Sequence, residues 1–228
     1  MVVYTLSDIR KTNLKDTFFG TYIYRKLSTY VTYFFVKTTI TPNQVSILSL
    51  FSSLVAAYLF SFGRFSYTVP AIIFLQLGMI LDYSDGQIAR LKKLSSKFGA
   101  WMDVIFGMIQ NNLVILGMTS GYFRNTGNPD IWLLGFITLF AWNMTCFVHL
   151  NAMIFFPGME LKATILAKQV QKGFHLPPQF FSIGSDVYFV ILSLAVILHL
   201  LPHGFLLMVI LGNLYWLAVS LYYFKLYK

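Results

Sequence analysis

Residues 67–103 read YTVPAIIFLQLGMILDYSDGQIARLKKLSSKFGAWMD, and the order of apolar and charged residues along this stretch decides the fold. From Tyr67 to Leu81 no charge interrupts the run; it ends in Asp82 and Asp85, then Arg90, Lys92, Lys93 and Lys97, before a second apolar run takes in Asp103. Apolar runs near bilayer length read as membrane helices, and a short basic turn between them belongs at the membrane surface. The stretch therefore predicts two antiparallel membrane helices with carboxylates at their joined ends.

The rest of the chain extends this pattern. It has 57% hydrophobic and 11% charged residues, with a mean hydropathy of +0.67; an ordinary soluble domain carries about 25% charged residues. Apolar blocks separated by polar breaks predict six spans, near residues 45–62, 67–88, 99–122, 131–156, 185–201 and 204–224. Ahead of them, Thr17 to Thr39 is aromatic and β-branched but carries Arg25, Lys26 and Lys37, so it reads as an amphipathic helix lying along the interface rather than a seventh span. Thr41-Pro42-Asn43 marks the start of the first span, with Thr41 as cap and Pro42 in the first turn. The predicted fold is an all-α integral membrane protein. Residues 1–40 form an N-terminal cytoplasmic or interfacial segment, and 41–228 form a six-helix membrane domain. Polar loops are expected at Arg124 to Asp130 and at Glu160 to Pro178.

Charge sets the orientation. With the N-terminus in the cytoplasm, all of the 17 basic residues except Arg64 and Arg124 fall on the cytoplasmic side, a bias that places both termini and the 91–97 turn there. The formal net charge of +9 points to anionic lipid headgroups and not to nucleic acid, because the basic residues flank apolar spans instead of interleaving with exposed aromatics. Cys146 is the single cysteine, which excludes an internal disulfide and a cysteine-based zinc site. Residues 1–16 are polar and charged and have no signal-peptide run.

Of eight acidic residues, Asp82, Asp85 and Asp103 lie within or at the ends of predicted spans. A carboxylate there is costly unless it meets a wet cavity or a cation, which makes it a functional-site candidate. At 100° per residue, Asp82 and Asp85 share a helix face, and Asp103 returns to the same end on the next helix. Three converging carboxylates repel one another unless a cation neutralises them. Hard oxygen ligands suit Mg²⁺ or Mn²⁺, and Mg²⁺ is commonly shared between carboxylates and substrate phosphates. Gly86, Ala89 and Gly99 remove bulk beside the carboxylates. Arg90 is either a phosphate donor or a partner of an aspartate. Lys92, Lys93 and Lys97 read first as topology determinants.

These residues resemble a known family signature. Asp82-Tyr83-Ser84-Asp85-Gly86-Gln87-Ile88-Ala89-Arg90, then eight residues, Gly99, three residues and Asp103 are similar to the pattern D-x2-D-G-x2-A-R-x8-G-x3-D-x3-D of the CDP-alcohol phosphatidyltransferases, with seven of its eight fixed positions present. Gly184 and Asp186, with Ser185 between, weakly resemble a Gly-Arg-Asp element of some members. The resemblance implies transfer of a substituted phosphate from a CDP-linked donor to a hydroxyl acceptor in phospholipid synthesis, with release of CMP and a requirement for Mg²⁺ or Mn²⁺. It implies Asp82, Asp85 and Asp103 as metal ligands, Gly86 and Ala89 as room for the CDP moiety, and a homodimer. A CDP-diacylglycerol-type lipid or an archaeal counterpart is the expected donor, because a membrane-embedded site admits lipid chains sideways; the reverse arrangement, a water-soluble CDP-alcohol with a diacylglycerol acceptor, is the alternative.

The eighth position holds Gly107 where the family has its last aspartate, the general base. Several readings stand side by side. Asp103 or a metal-bound hydroxide substitutes as base. His149 or Asn151, on span four, takes the role. The run Gln110-Asn111-Asn112 orients a substrate or bonds between helices. Alternatively the glycine marks a disabled or non-catalytic homologue that binds metal and CDP-lipid, or acts as a membrane partner protein. A small transporter would also place carboxylates in a membrane, but it would not require Gly86, Ala89, Arg90 and Gly99 at these spacings. Gly107, Gly117 and Gly135 are expected to permit close helix packing or dimerisation.

Overall fold

The computed structural model describes residues 4–14, 17–155 and 184–226, and these are helical with no strand among them. The chain divides into two compact units, Met1–Gly127 and Asn128–Lys228. The first holds α1 (Leu6–Lys11), a π-helical turn (Gly20–Tyr24), α2 (Arg25–Phe35), α3 (Pro42–Ser61), α4 (Phe65–Leu91) and α5 (Lys97–Thr126). The second holds α6 (Asp130–Phe155), α7 (Ser185–Ile197) and α8 (Leu201–Leu226). The polar loop expected at Glu160 to Pro178 lies outside the described residues.

Among the described residues, five helices are long and apolar enough to cross a membrane: α3, α4, α5, α6 and α8. They match five of the six expected spans to within a few residues. The sixth, expected at 185–201, is the 13-residue α7. At 1.5 Å per residue it rises only about 20 Å, short of the roughly 30 Å hydrocarbon core. It stops because the chain reverses through His199, whose φ is +56°, and Leu200 N–H closes back on the Ala195 carbonyl at 2.7 Å.

Helix ends follow local chemistry. At α3 the Thr41 hydroxyl accepts from Gln44 N–H at 3.4 Å, and the Gln44 carboxamide accepts from Thr41 N–H at 2.9 Å. This reciprocal cap, with Pro42 at the first helical position, satisfies two amides that the helix cannot. Ser96 caps α5 by accepting from Gly99 N–H at 3.0 Å.

In the first unit α3 is the central helix: α4 and α5 both pack against it and barely touch each other. Its inward face carries serines at helical spacing. The Ser49 hydroxyl donates to the Gly78 carbonyl of α4 at 2.8 Å and accepts from Gln110 of α5 at 3.1 Å. One turn on, Ser52 donates to the Phe74 carbonyl at 2.7 Å. On the α5 side, a Cβ at Gly117 would lie 2.3 Å from the Ala57 carbonyl oxygen, and one at Gly121 only 2.0 Å from that of Phe60. Small residues and interhelical hydrogen bonds take the place of the hydrophobic drive that lipid removes.

The N-terminal segment lies on α4. The buried face of α2 is polar, with Arg25, Ser28, Thr29 and Thr32, while Leu27, Tyr30 and Phe34 point outward at 45%, 57% and 68% exposure. The polar face is turned inward because it meets polar groups of α4: Thr32 donates to Gln87 at 2.6 Å, and Ser84 reaches the Ser28 carbonyl at 3.4 Å. The 5-residue π turn and the 11-residue α2 run on as one helical stretch, Gly20–Phe35, which rises no more than about 24 Å and is short for a seventh span.

Candidate active site

The carboxylates that the sequence singles out come together. Asp82 and Asp85 lie one turn apart near the end of α4, Asp103 lies in the second turn of α5, and one oxygen of each falls within 4.8 Å of the others. Asp85 is buried, Asp82 half-buried and Asp103 exposed. Because α4 and α5 rest on α3 and not on each other, the gap between them opens as a cleft of about 200 Å³, lined by Asp85, Arg90 and Asp103 together with Asn43, Ser46 and Gly99. The described residues that line this cleft belong to the first unit.

The donor set fits a hard divalent cation. Oxygens around a Mg²⁺ ion stand roughly 3 Å apart when adjacent and roughly 4.2 Å when opposite, so three carboxylates within 4.8 Å of one another would draw closer around a bound ion. Among the described residues no ion pair within 4 Å joins Arg90 to Asp85 or Asp103. Asp85 is held instead by Ser46 of α3, whose hydroxyl donates to Oδ2. That bond fixes the carboxylate rotamer from behind, as partners of metal-binding side chains commonly do.

Arg90 Nε donates to the Thr12 carbonyl at 3.0 Å. Its guanidinium lies over Gly86, where an added Cβ would stand 3.1 Å and 3.3 Å from the two terminal nitrogens. Gly86 thus makes room first for the protein's own arginine. Gly99 lies beside Asn43, whose carboxamide oxygen would be 3.4 Å from a Cβ there. Ala89 lines the same cleft. Lys92 is taken up structurally, donating to the Thr38 and Ile40 carbonyls at 2.9 Å each. Lys93 and Lys97 are exposed.

Gly107 follows Asp103 by one turn, and a Cβ built there meets nothing within 4 Å. The side chains named as alternatives to an aspartate there make the following contacts. Gln110 is spent on Ser49, and Asn111 and Asn112 donate to the Gly107 and Met108 carbonyls at 2.7 Å each. In the second unit, His149 Nδ1 contacts the Thr145 carbonyl at 2.9 Å while its ring stacks on Tyr215, and Asn151 donates to the Phe147 carbonyl at 2.8 Å. These contacts lie within a helix or between helices of the same unit. Gly184 caps α7, with Asp186 buried in its first turn.

Sequence reasoning missed Asn43, Ser46 and Gln87. Ser46 had a readable signal, since Ser46, Ser49 and Ser52 recur every three residues within an apolar span, the spacing of a polar seam on one helix face. Gln87 had none: its partner Asn13 is 74 residues away.

Residues 39–224 match the CDP-alcohol phosphatidyltransferase family. Among curated relatives, the bifunctional IPC transferase and DIPP synthase of Aquifex aeolicus is 36% identical over 96 residues, 40% of this chain and 20% of that protein. The archaetidylinositol phosphate synthase of Pyrococcus horikoshii is 29% identical over 113 residues, 50% of this chain and 55% of that one. The chain thus spans about half the length of one of these relatives and a fifth of the other. Among solved structures, the phosphatidylinositol phosphate synthase of Mycobacterium tuberculosis with CDP-DAG bound aligns at a TM-score of 0.60 and 16% identity, covering 86% of this chain and 92% of that one. The same enzyme in complex with manganese and citrate aligns at 0.50 and 19% identity, covering 80% and 88%. The likeness to those structures extends over the helical fold, and the family match extends over both units. With five helices of membrane-crossing length, this integral membrane protein belongs to the CDP-alcohol phosphatidyltransferase family.

Proposed function

We propose that the protein transfers a substituted phosphate from a CDP-linked lipid to the hydroxyl of a polyol phosphate, releasing CMP. The observation that carries this reading is the meeting of Asp82, Asp85 and Asp103 next to a cleft that also holds the Arg90 guanidinium. Such a cleft suits a pyrophosphate: carboxylates on one side to hold cations, a fork of N–H donors on the other. The relatives support the substrate class, because one was solved with CDP-DAG and two are named as inositol phosphate lipid synthases.

In this reading Asp82, Asp85 and Asp103 hold Mg²⁺ or Mn²⁺, which when bound supplies charge stabilisation for the pyrophosphate and the leaving CMP. Manganese is present in a structure of the Mycobacterium enzyme. Arg90 receives a phosphate oxygen, and Gly86, Ala89 and Gly99 leave the cleft open to the nucleotide. The acceptor oxygen attacks the lipid-linked phosphorus as the bond to CMP breaks. Its proton goes to Asp103, the carboxylate one turn from Gly107. No finding favours the non-catalytic alternative. The positive charge around the cleft supports an active site facing the cytoplasm with both termini on that side. The homodimer rests on the family resemblance, and a sixth crossing at 185–201, expected from the apolar run, would need more length than the 13 residues of α7 supply.

The test is CMP release by purified protein in lipid with Mn²⁺, CDP-diacylglycerol and inositol phosphate, for the native chain and for Gly107→Asp. The open space at Gly107 accepts the new side chain, and restoring a base there should raise kcat by on the order of 10²-fold. Chelation with EDTA should abolish release. If neither chain releases CMP with any polyol or polyol phosphate, the transferase reading fails.

A further inference from the structure

Arg90 and Gln87 are gripped from outside the membrane domain, by residues that neither the signature nor the spans include. Tyr4 donates to the Leu91 carbonyl at 3.4 Å, the Thr12 carbonyl accepts from Arg90 Nε at 3.0 Å, and Asn13 accepts from Gln87 Nε2 at 2.6 Å. All three contacts fall on one turn of α4.

We propose that the segment Tyr4–Asn13 is a positioning element of the phosphate-binding site, holding the Arg90 guanidinium over Gly86 through the Thr12 carbonyl. The inference rests on the function proposed above. A six-residue helix has no independent stability, yet α1 is finished at both ends. Thr5 and Asp8 cap it reciprocally at 3.0 Å and 3.2 Å, and the Thr12 hydroxyl closes onto the Ile9 carbonyl at 2.7 Å. Ile9 is fully buried, which docks the helix and places the Thr12 carbonyl. Gln87 is the post to which this segment is tied. It is 0% exposed, accepts from Thr32 at 2.6 Å and donates to both Asn13 and the Arg25 carbonyl, the latter at 3.3 Å. With its oxygen and both its donors committed, it has nothing to offer a substrate.

The consequence for Arg90 is directional. An arginine has five N–H donors in a rigid plane. Committing Nε–H to Thr12 turns the two terminal nitrogens toward the cleft, where they make no ion pair with Asp85 or Asp103. An arginine side chain held in one rotamer beforehand spares substrate binding the entropy of ordering it.

The test measures equilibrium affinity for CDP-diacylglycerol in Mn²⁺-loaded full-length protein, with the Mn²⁺ midpoint recorded separately. Asn13→Ala should weaken CDP-diacylglycerol binding by about tenfold and leave the Mn²⁺ midpoint unchanged. In an Arg90→Ala background the same substitution should have no further effect, because the segment acts through the arginine. Tyr4→Phe, which removes only the outermost contact, should shift affinity in the same direction and serves if Asn13→Ala does not fold. Unchanged affinity in the folded variants, or an equal loss with Arg90 absent, overturns the positioning role. If the native protein binds no CDP-diacylglycerol, the proposed function falls and takes this inference with it.

Discussion

At the scale of single residues, Ser46 and Gly107 decide how the carboxylates work. Ser46 is 93% buried by its 7% exposure, and its one proton lies between the Asp85 carboxylate and the Pro42 carbonyl at 3.2 Å. Removing the hydroxyl takes away the one side-chain donor that reaches Asp85 from α3. Ser46→Ala should therefore weaken Mn²⁺ affinity by about 10- to 100-fold, read from the metal dependence of CMP release, while Ser46→Thr retains most of it. Equal metal dependence in Ser46→Ala would show that Asp85 is held by packing alone. Gly107 differs in kind, since a Cβ built there meets nothing within 4 Å and its replacement disturbs no contact. The signature positions Asp82, Asp85, Gly86, Ala89, Arg90, Gly99 and Asp103 were all legible from spacing. What Gly86 accommodates was not, because the guanidinium over it comes from one turn further along and depends on Thr12.

At the scale of elements, the same residue type performs opposite tasks along α5. A side chain at Gly121 would collide with the Phe60 backbone at 2.0 Å, whereas one at Gly107 enters open space. Gly121→Val should lower stability by about 1–3 kcal/mol or more through forced separation of α3 and α5. Gly107→Ala should be neutral or stabilising by about 0.5–1 kcal/mol, as expected where a helical glycine has no packing role. Thermal unfolding of both variants in detergent checks the contrast, and equal losses would contradict the packing described. Gly117 belongs with Gly121, so these small residues serve contacts within the chain. The helices themselves were readable from runs of apolar residues, as was the start of α3 at Thr41-Pro42. The shortness of α7 was not, because Leu198 and Leu200 continue the apolar run past the point where the backbone turns at His199.

At the scale of the whole molecule, the basic residues make a prediction about sidedness that no contact can make. In a Cys146→Ser background, a cysteine at Lys97 should react with a membrane-impermeant thiol reagent only from the cytoplasmic side, and one at Arg124 only from the opposite side. Labelling of both from the same side would overturn the orientation. The amino-acid sequence alone determined the membrane class, five of the crossing helices, and the identity of the acidic signature. Each of these is encoded locally, in the length of apolar runs and in spacings of three to four residues on one helix. Only the tertiary structure decided that α3 carries both α4 and α5, so that a cleft opens between them. Only it decided that Ser46 steadies Asp85, and that a short N-terminal helix grips Arg90. Those facts join residues 39 to 78 positions apart, and pairings at such distances are chosen by packing and hydrogen-bond satisfaction across the folded chain, which no local pattern records.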